Sequence, residues 1–271
     1  MAERLSAVAA HVATPSAADT TNAIEAELVC GYSAAGQAGT SKLGEGPMWS
    51  PAEERLYWVD CSGKKIHRFD PERDAAHRHT EWSLDEHIGC LVLRQGGGFM
   101  AAVTSGFVAV SLPEHGGAAV CTPFAPLAQD TGSNYDPALG YDPDAAVRGM
   151  NDGKCDRAGR FWAGTVLTPT GRGPSRSSWV GKLWRLEASG EAVEVLPNIA
   201  CSQGPSWSPD NKTMYYHDSS GGGIKAFDFD HGTGAISNER AFATDFDLKP
   251  GESGGPDGFT VRTMRLCMHG K

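Results

Sequence analysis

No stretch of this 271-residue chain approaches the ~18 consecutive apolar residues of a membrane-crossing helix, so no membrane partner is expected. Basic charge is also short. Twenty-four Lys and Arg stand against 33 Asp and Glu, a net charge of −9 that offers no general attraction to nucleic acid or an anionic surface. The cysteines (Cys30, Cys61, Cys90, Cys121, Cys155, Cys201 and Cys267) are odd in number, scattered, and contain no C-x-x-C pair. That excludes a disulfide framework and a zinc knuckle, and reads as mostly buried thiols in a reducing, cytoplasmic compartment. The nine histidines show no H-x-x-x-H spacing, and His67, His77 and His79 fall in or near turns, where they read as solvated. Ser178, Ser202 and Ser219 lack a nucleophile elbow. Gly96–Gly98 and Gly221–Gly223 precede strands rather than helices, so they read as turns and not phosphate loops. Met1–Ala23 is rich in Ala, Thr and Ser but has too poor an apolar core for a signal peptide, and residues 1–26 are expected to be a disordered leader.

What the chain does have is 34 Gly and 16 Pro without collagen-like period, which predicts many turns. It also repeats itself. Gly46-Pro47-Met48-Trp49-Ser50-Pro51, then Leu56–Asp60, then Lys65–Asp70, is matched by Gly204-Pro205-Ser206-Trp207-Ser208-Pro209, then Met214–Asp218, then Ile224–Asp228. Each is an aromatic strand, a charged turn, a strand ending in Asp, and a third alternating strand. Cys90–Val110 and Asn151–Leu186 follow the same plan more loosely. Starts at Gly46, Cys90, Asn151, Gly204 and Gly258 recur roughly every 45–60 residues, which predicts an all-β propeller rather than a sandwich. Pro113–Val147 and Thr168–Val180 read as loops over one face. Trp49, Trp58, Trp162, Trp184 and Trp207 recur at repeat positions and are expected to pack blade against blade.

A propeller gathers its innermost strands around one channel, so the residues of interest are polar ones at the repeat starts. Glu45, Asn151, Gln203 and Asp257 each directly precede a Gly or an Asp-Gly. Carboxylate and amide oxygens around one axis suit a hard divalent cation. Any one of these dipeptides alone is as well explained by a turn.

The strings Leu43-Gly44-Glu45-Gly46-Pro47-x-Trp49, Asn151-Asp152-Gly153-Lys154-x-Asp156-x-x-Gly159-Arg160-x-Trp162-x-Gly164-Thr165, Gly204-x-x-Trp207-Ser208-x-Asp210 and Pro256-Asp257-Gly258 resemble the senescence marker protein (regucalcin), gluconolactonase and luciferin-regenerating enzyme family over about residues 27 to 261. The resemblance implies a six-bladed propeller with one divalent metal ion (Ca, Zn, Mn or Mg) that opens a small-molecule sugar lactone by attack of metal-activated water. It implies Glu45, Gln203, Asp257 and Asn151 as metal ligands, Asp257 as general base, and Asn151 facing substrate; Arg148 is a further candidate substrate contact.

Three departures from the family stand out. Gln203 replaces an Asn, moving the carbonyl out by about 1.5 Å. Gly149 stands where the family carries an Arg, and the neighbouring Arg148 reads equally well as a substrate contact or a surface residue. After Phe259 only twelve residues follow, in which Arg262, Arg265, His269 and Lys271 break the blade pattern. The expected organisation is a leader over 1–26, a propeller lacking its closing blades over 27–261, and an atypical tail over 262–271. A calcium-binding or degenerate propeller without turnover, and a related propeller esterase or phosphotriesterase, are the competing readings. The particular lactone, the metal and the oligomeric state are not readable from the sequence.

Overall fold

A computed structural model describes residues 41–74, 76–127, 147–167, 181–221, 223–244, 256–262 and 265–270. The expected leader and the Thr168–Val180 loop lie outside these residues. Among them all regular structure is β. The first sheet holds β1 (Gly44–Ser50), β2 (Arg55–Asp60), β3 (Lys65–Phe69) and β4 (His79–Ser83) in antiparallel order. The second holds β5 (Ile88–Leu93), β6 (Phe99–Val103), β7 (Gly106–Ser111) and β9 (Val120–Pro126), while the two-residue β8 (Gly117–Ala118) runs parallel to β4. A segment expected to be loop from Pro113 onward thus supplies the outer strand of the second sheet.

The third and fourth units are β10 (Val147–Cys155), β11 (Phe161–Leu167), β12 (Gly181–Leu186), β13 (Ala192–Ile199), then β14 (Ser202–Trp207), β15 (Thr213–Asp218), β16 (Ile224–Phe229), β17 (Ile236–Ala243). A parallel pairing of Asp152 with Gln203 joins them into one eight-stranded sheet. β18 (Pro256–Arg262) and β19 (Arg265–Gly270) form a hairpin, so residues read as breaking the blade pattern form a paired strand.

The core explains how these sheets stack. One apolar cluster joins Tyr57, Ile66 and Trp82 of the first sheet to Leu91, Phe99 and Val108 of the second. Another joins Met100 and Phe107 to Met150, Phe161 and Leu186. A third joins Trp162, Leu183 and Ile199 to Met214, Tyr216 and Phe229. Apolar side chains at every second strand position therefore lie between neighbouring sheets, as in the blades of a propeller. Trp162 and Trp207 meet edge to face across the third interface at 5.8 Å. Trp58 departs from the expected pattern and stacks on His67 within its own sheet at 5.0 Å. Cys61 and Cys90 are buried thiols as expected, but Cys121 and Cys155 are exposed.

The repeated Asp that ends each second strand has a structural task. Asp60 accepts the amides of Lys42 (2.8 Å), Leu43 (3.0 Å) and Gly63 (2.8 Å). Asp218 accepts those of Ala200 (2.9 Å), Cys201 (3.1 Å) and Ser220 (3.0 Å). Each latches the entry of its innermost strand to the strand beside it. Much of the Asn151–Thr165 string is scaffold as well. Asp156 is buried, pairs with Arg160 Nε at 2.6 Å and accepts Trp162 Nε1 at 3.0 Å, and Arg160 reaches the His231 carbonyl of the next blade.

Candidate metal and substrate site

β1, β5, β10, β14 and β18 are the innermost strands, and each carries a register shift against its neighbour at the same level. The shifts fall between Glu45 and Met48, Ile88 and Cys90, Met150 and Gly153, Ser202 and Pro205, and Pro256 and Phe259. A bulge places an extra residue on one strand and re-aims its side chain. Asn151, Gln203 and Asp257 lie inside their bulges, and Glu45 is the last paired residue before its own. Gly46 and Gly204, which follow Glu45 and Gln203, adopt left-handed backbone at φ 57° and 68°.

The second blade contributes no polar group at this level, because its bulge holds Gly89. A Cβ there would overlap the Met150 carbonyl and lie 2.5 Å from the Asn151 carbonyl oxygen. The absent side chain lets β10 close on β5.

Asp152 sits where the inner strands meet. Its Oδ2 would lie 3.1 Å from a Cβ at Gly204 and 3.2 Å from one at Gly258, so β10, β14 and β18 converge on it. Lys154 donates to the Phe259 carbonyl and to Ser206 Oγ at 3.3 Å, and Ser206 reaches the same carbonyl at 3.0 Å. Burial pushes the Lys154 ammonium below its usual range, with Asp152 opposing.

The two amides present their chemistry in the same way. Asn151 Nδ2 donates to the Ser202 carbonyl at 2.7 Å, and Gln203 Nε2 donates to Ser219 Oγ at 2.6 Å. With both nitrogens committed to protein acceptors, the carbonyl oxygens are the ends suited to a cation or substrate. Asp257 accepts its neighbour's amide, Gly258 N, at 3.0 Å. Gln203 is buried, and Glu45, Asn151 and Asp257 are half-buried.

The channel wall is acidic. Burial, then Glu45, Asp152 and Asp60, push the Cys61 thiol up to about 12. Burial and then Asp152 hold Cys90 well above its usual value. Burial and the surrounding carboxylates thus disfavour both thiolates. Glu45, Asn151, Gln203 and Asp257 offer oxygens, which fit a hard divalent cation, and the Cys201 sulfur lies beside them, 3.4 Å from Gln203 Nε2.

Arg148 lies in β10, but its side chain falls outside the described residues. Gly149 has φ 154°, and a Cβ there would stand 3.0 Å from both His87 Nδ1 and Thr104 Oγ1. An arginine at that position would be strained and crowded. His87 and Thr104 carry no signal in the sequence, and Asp152 and Lys154 are marked only by their place in the repeat-start string.

His67 is 1% exposed within β3 and so is not a solvated turn residue, while His79 is half-buried at the start of β4. Burial, then the neighbouring His79, push the His67 imidazole down to about 4. His77 is the exposed turn residue that was expected.

A model of the SMP-30/Gluconolactonase/LRE-like region matches residues 43–264. The chain belongs to this family. Regucalcin of Oryctolagus cuniculus is 32% identical over 220 residues, which are 81% of this chain and 65% of that protein. The 6-deoxy-6-sulfogluconolactonase of Pseudomonas putida is 34% identical over 179 residues, 66% of this chain and 52% of that one. Among solved structures, a luciferin-regenerating enzyme aligns with TM-score 0.64 at 28% identity, covering 83% of this chain and 67% of its own. A calcium-binding regucalcin from Agrobacterium tumefaciens shares the fold with TM-score 0.63 at 22% identity, covering 82% and 65%. The chain thus spans less than two thirds of the rabbit relative's length. Among the described residues no helix is long and apolar enough to cross a membrane.

Proposed function

We propose that the chain carries a sugar-lactone hydrolase site on its inner-strand bulges, held around one hard divalent cation. The observation that carries this reading is that Glu45, Asn151, Gln203 and Asp257, all oxygen donors, occupy the same level of neighbouring inner strands. Family membership and a gluconolactonase-type relative support the substrate class.

Glu45, Gln203, Asp257 and the Asn151 carbonyl would hold the cation, whose chemistry is to polarise the lactone carbonyl and acidify water. Calcium, magnesium or manganese suits these donors better than zinc. Asn151, held by Ser202, and Arg148 would orient the sugar. Asp257 takes a proton from the attacking water as its oxygen bonds to the lactone carbon. The ring C–O bond then breaks, and the alkoxide recovers a proton to give the hydroxy acid. The described blades would belong to the family's six-bladed propeller, and the free thiols among the described residues support a reducing, cytoplasmic setting.

The test is acid release from a panel of aldonolactones, with and without added calcium, manganese or zinc. Gly149 and the longer Gln203 arm favour a second reading, a calcium-binding propeller without turnover. That reading predicts metal uptake with no metal-dependent hydrolysis.

A further inference from the structure

His67 is directly opposite Glu81 in the β3–β4 ladder, and Phe69 is opposite His79. Residues two apart on a strand share a face, so His67, His79 and Glu81 all project to one side of the first blade. That side is opposite the one on which Ile66 and Trp82 enter the core. His67 Nδ1 lies 2.9 Å from His79 Nε2 and 3.9 Å from Glu81 Oε2. One ligand atom from each of the three residues falls within 4.8 Å of the others.

We propose that His67, His79 and Glu81 form a second cation site, separate from the channel, for a borderline divalent transition metal such as Zn2+. Two imidazole nitrogens and one carboxylate oxygen are the donors such ions prefer, whereas a calcium site takes oxygens alone. Around tetrahedral zinc two nitrogens stand about 3.3 Å apart, so the His67–His79 pair needs to open by only a few tenths of an ångström.

The surroundings fix the ligands. Trp58 stacks on His67 with an interplanar angle of 8°, and the two imidazoles lie 23° from parallel at 5.2 Å. Two imidazole nitrogens this close cannot both carry a proton, so one lone pair always faces the gap, and an ion replaces the single proton between them. Lys65 Nζ holds Glu81 Oε1 at 2.5 Å, which leaves Oε2 as a one-oxygen ligand. His79 and Glu81 also line an open cleft of about 680 Å3 that Arg68, Thr80 and His115 help to form. The cleft beside His79 and Glu81 would give the ion its entry path. Binding here would clip β3 to β4, and it does not depend on the channel site or on hydrolysis.

The experiment titrates Zn2+ into chelator-treated protein by calorimetry and uses Co2+ as a spectroscopic stand-in. The proteins compared are wild type, His79→Gln, Glu81→Gln and Asp257→Asn. Wild type and Asp257→Asn should each bind one Zn2+ equivalent tightly, and Co2+ should give intense tetrahedral d–d absorption. His79→Gln and Glu81→Gln should each bind on the order of 100-fold more weakly, with unchanged metal-free circular dichroism. Should His79→Gln not fold, the half-exposed Glu81→Gln decides. Unaltered Zn2+ binding in Glu81→Gln, no tight Zn2+ in wild type, or its loss in Asp257→Asn would each overturn the proposal.

Discussion

Glu45 and Gln203 occupy the same position of two blades. Each is the polar residue at the inner-strand bulge, and each is followed by a glycine in left-handed backbone. One brings a carboxylate and the other an amide whose nitrogen is tied to Ser219. If both point at one cation, replacing the amide by a carboxylate adds charge, and removing it deletes a ligand. Gln203→Ala should weaken Ca2+ binding by roughly tenfold or more with little change in melting temperature. Isothermal calorimetry beside a thermal melt checks this.

The Asp60 latch predicts a pH effect. Burial would raise its carboxyl, but the amides of Lys42, Leu43 and Gly63 bring it below the usual range overall. A depressed folded value means that its stabilisation is fully present above the unfolded value of about 3.9 and is lost as pH falls through the folded one. Asp60→Asn should cost about 1–3 kcal/mol at neutral pH. It should also flatten the acid limb of a urea-denaturation series below about pH 4.

Two glycines should respond differently to alanine. A Cβ at Gly46 meets nothing within 4 Å, so Gly46→Ala carries only the left-handed backbone penalty of about 1–2 kcal/mol. At Gly89 the Cβ would overlap the Met150 carbonyl, and β10 would have to move off β5. Gly89→Ala should cost at least about 3 kcal/mol, enough to deplete folded protein. Chemical denaturation of the two variants side by side tests the contrast.

Asp156 and Arg160 are a buried pair, and removing the acid strands a buried guanidinium. Asp156→Ala should destabilise by about 3–5 kcal/mol. The Co2+ signal at His67, His79 and Glu81 should be unchanged wherever the protein stays folded, since that cluster lies in another blade.

The strand frame could be read in the sequence because the repeat shows in residues that local geometry needs. Gly46 and Gly204, the Asp60 and Asp218 latches, and the strand-facing aromatics all recur in order. The set Glu45, Asn151, Gln203 and Asp257 stood out because polar residues before glycine are out of place in an inner strand. The histidine pair did not stand out. Its meaning depends on β3–β4 register, which places His67 beside His79 and Glu81 on one face, and spacing along the chain carries no sign of that pairing. Trp58 departs from blade-to-blade packing for the same reason, since its partner is the cross-strand His67. Gly89 and Gly149 also look ordinary until the neighbouring strand is in view.

The most direct test of the channel reading is lactone hydrolysis by wild type and Asp257→Asn at saturating Ca2+ or Mn2+, with metal binding measured on the same samples. The account predicts turnover that requires the ion and a kcat roughly 100-fold or more lower in Asp257→Asn, while the variant's amide oxygen still binds metal. Equal turnover in the two proteins, or turnover unaffected by chelation, would contradict it.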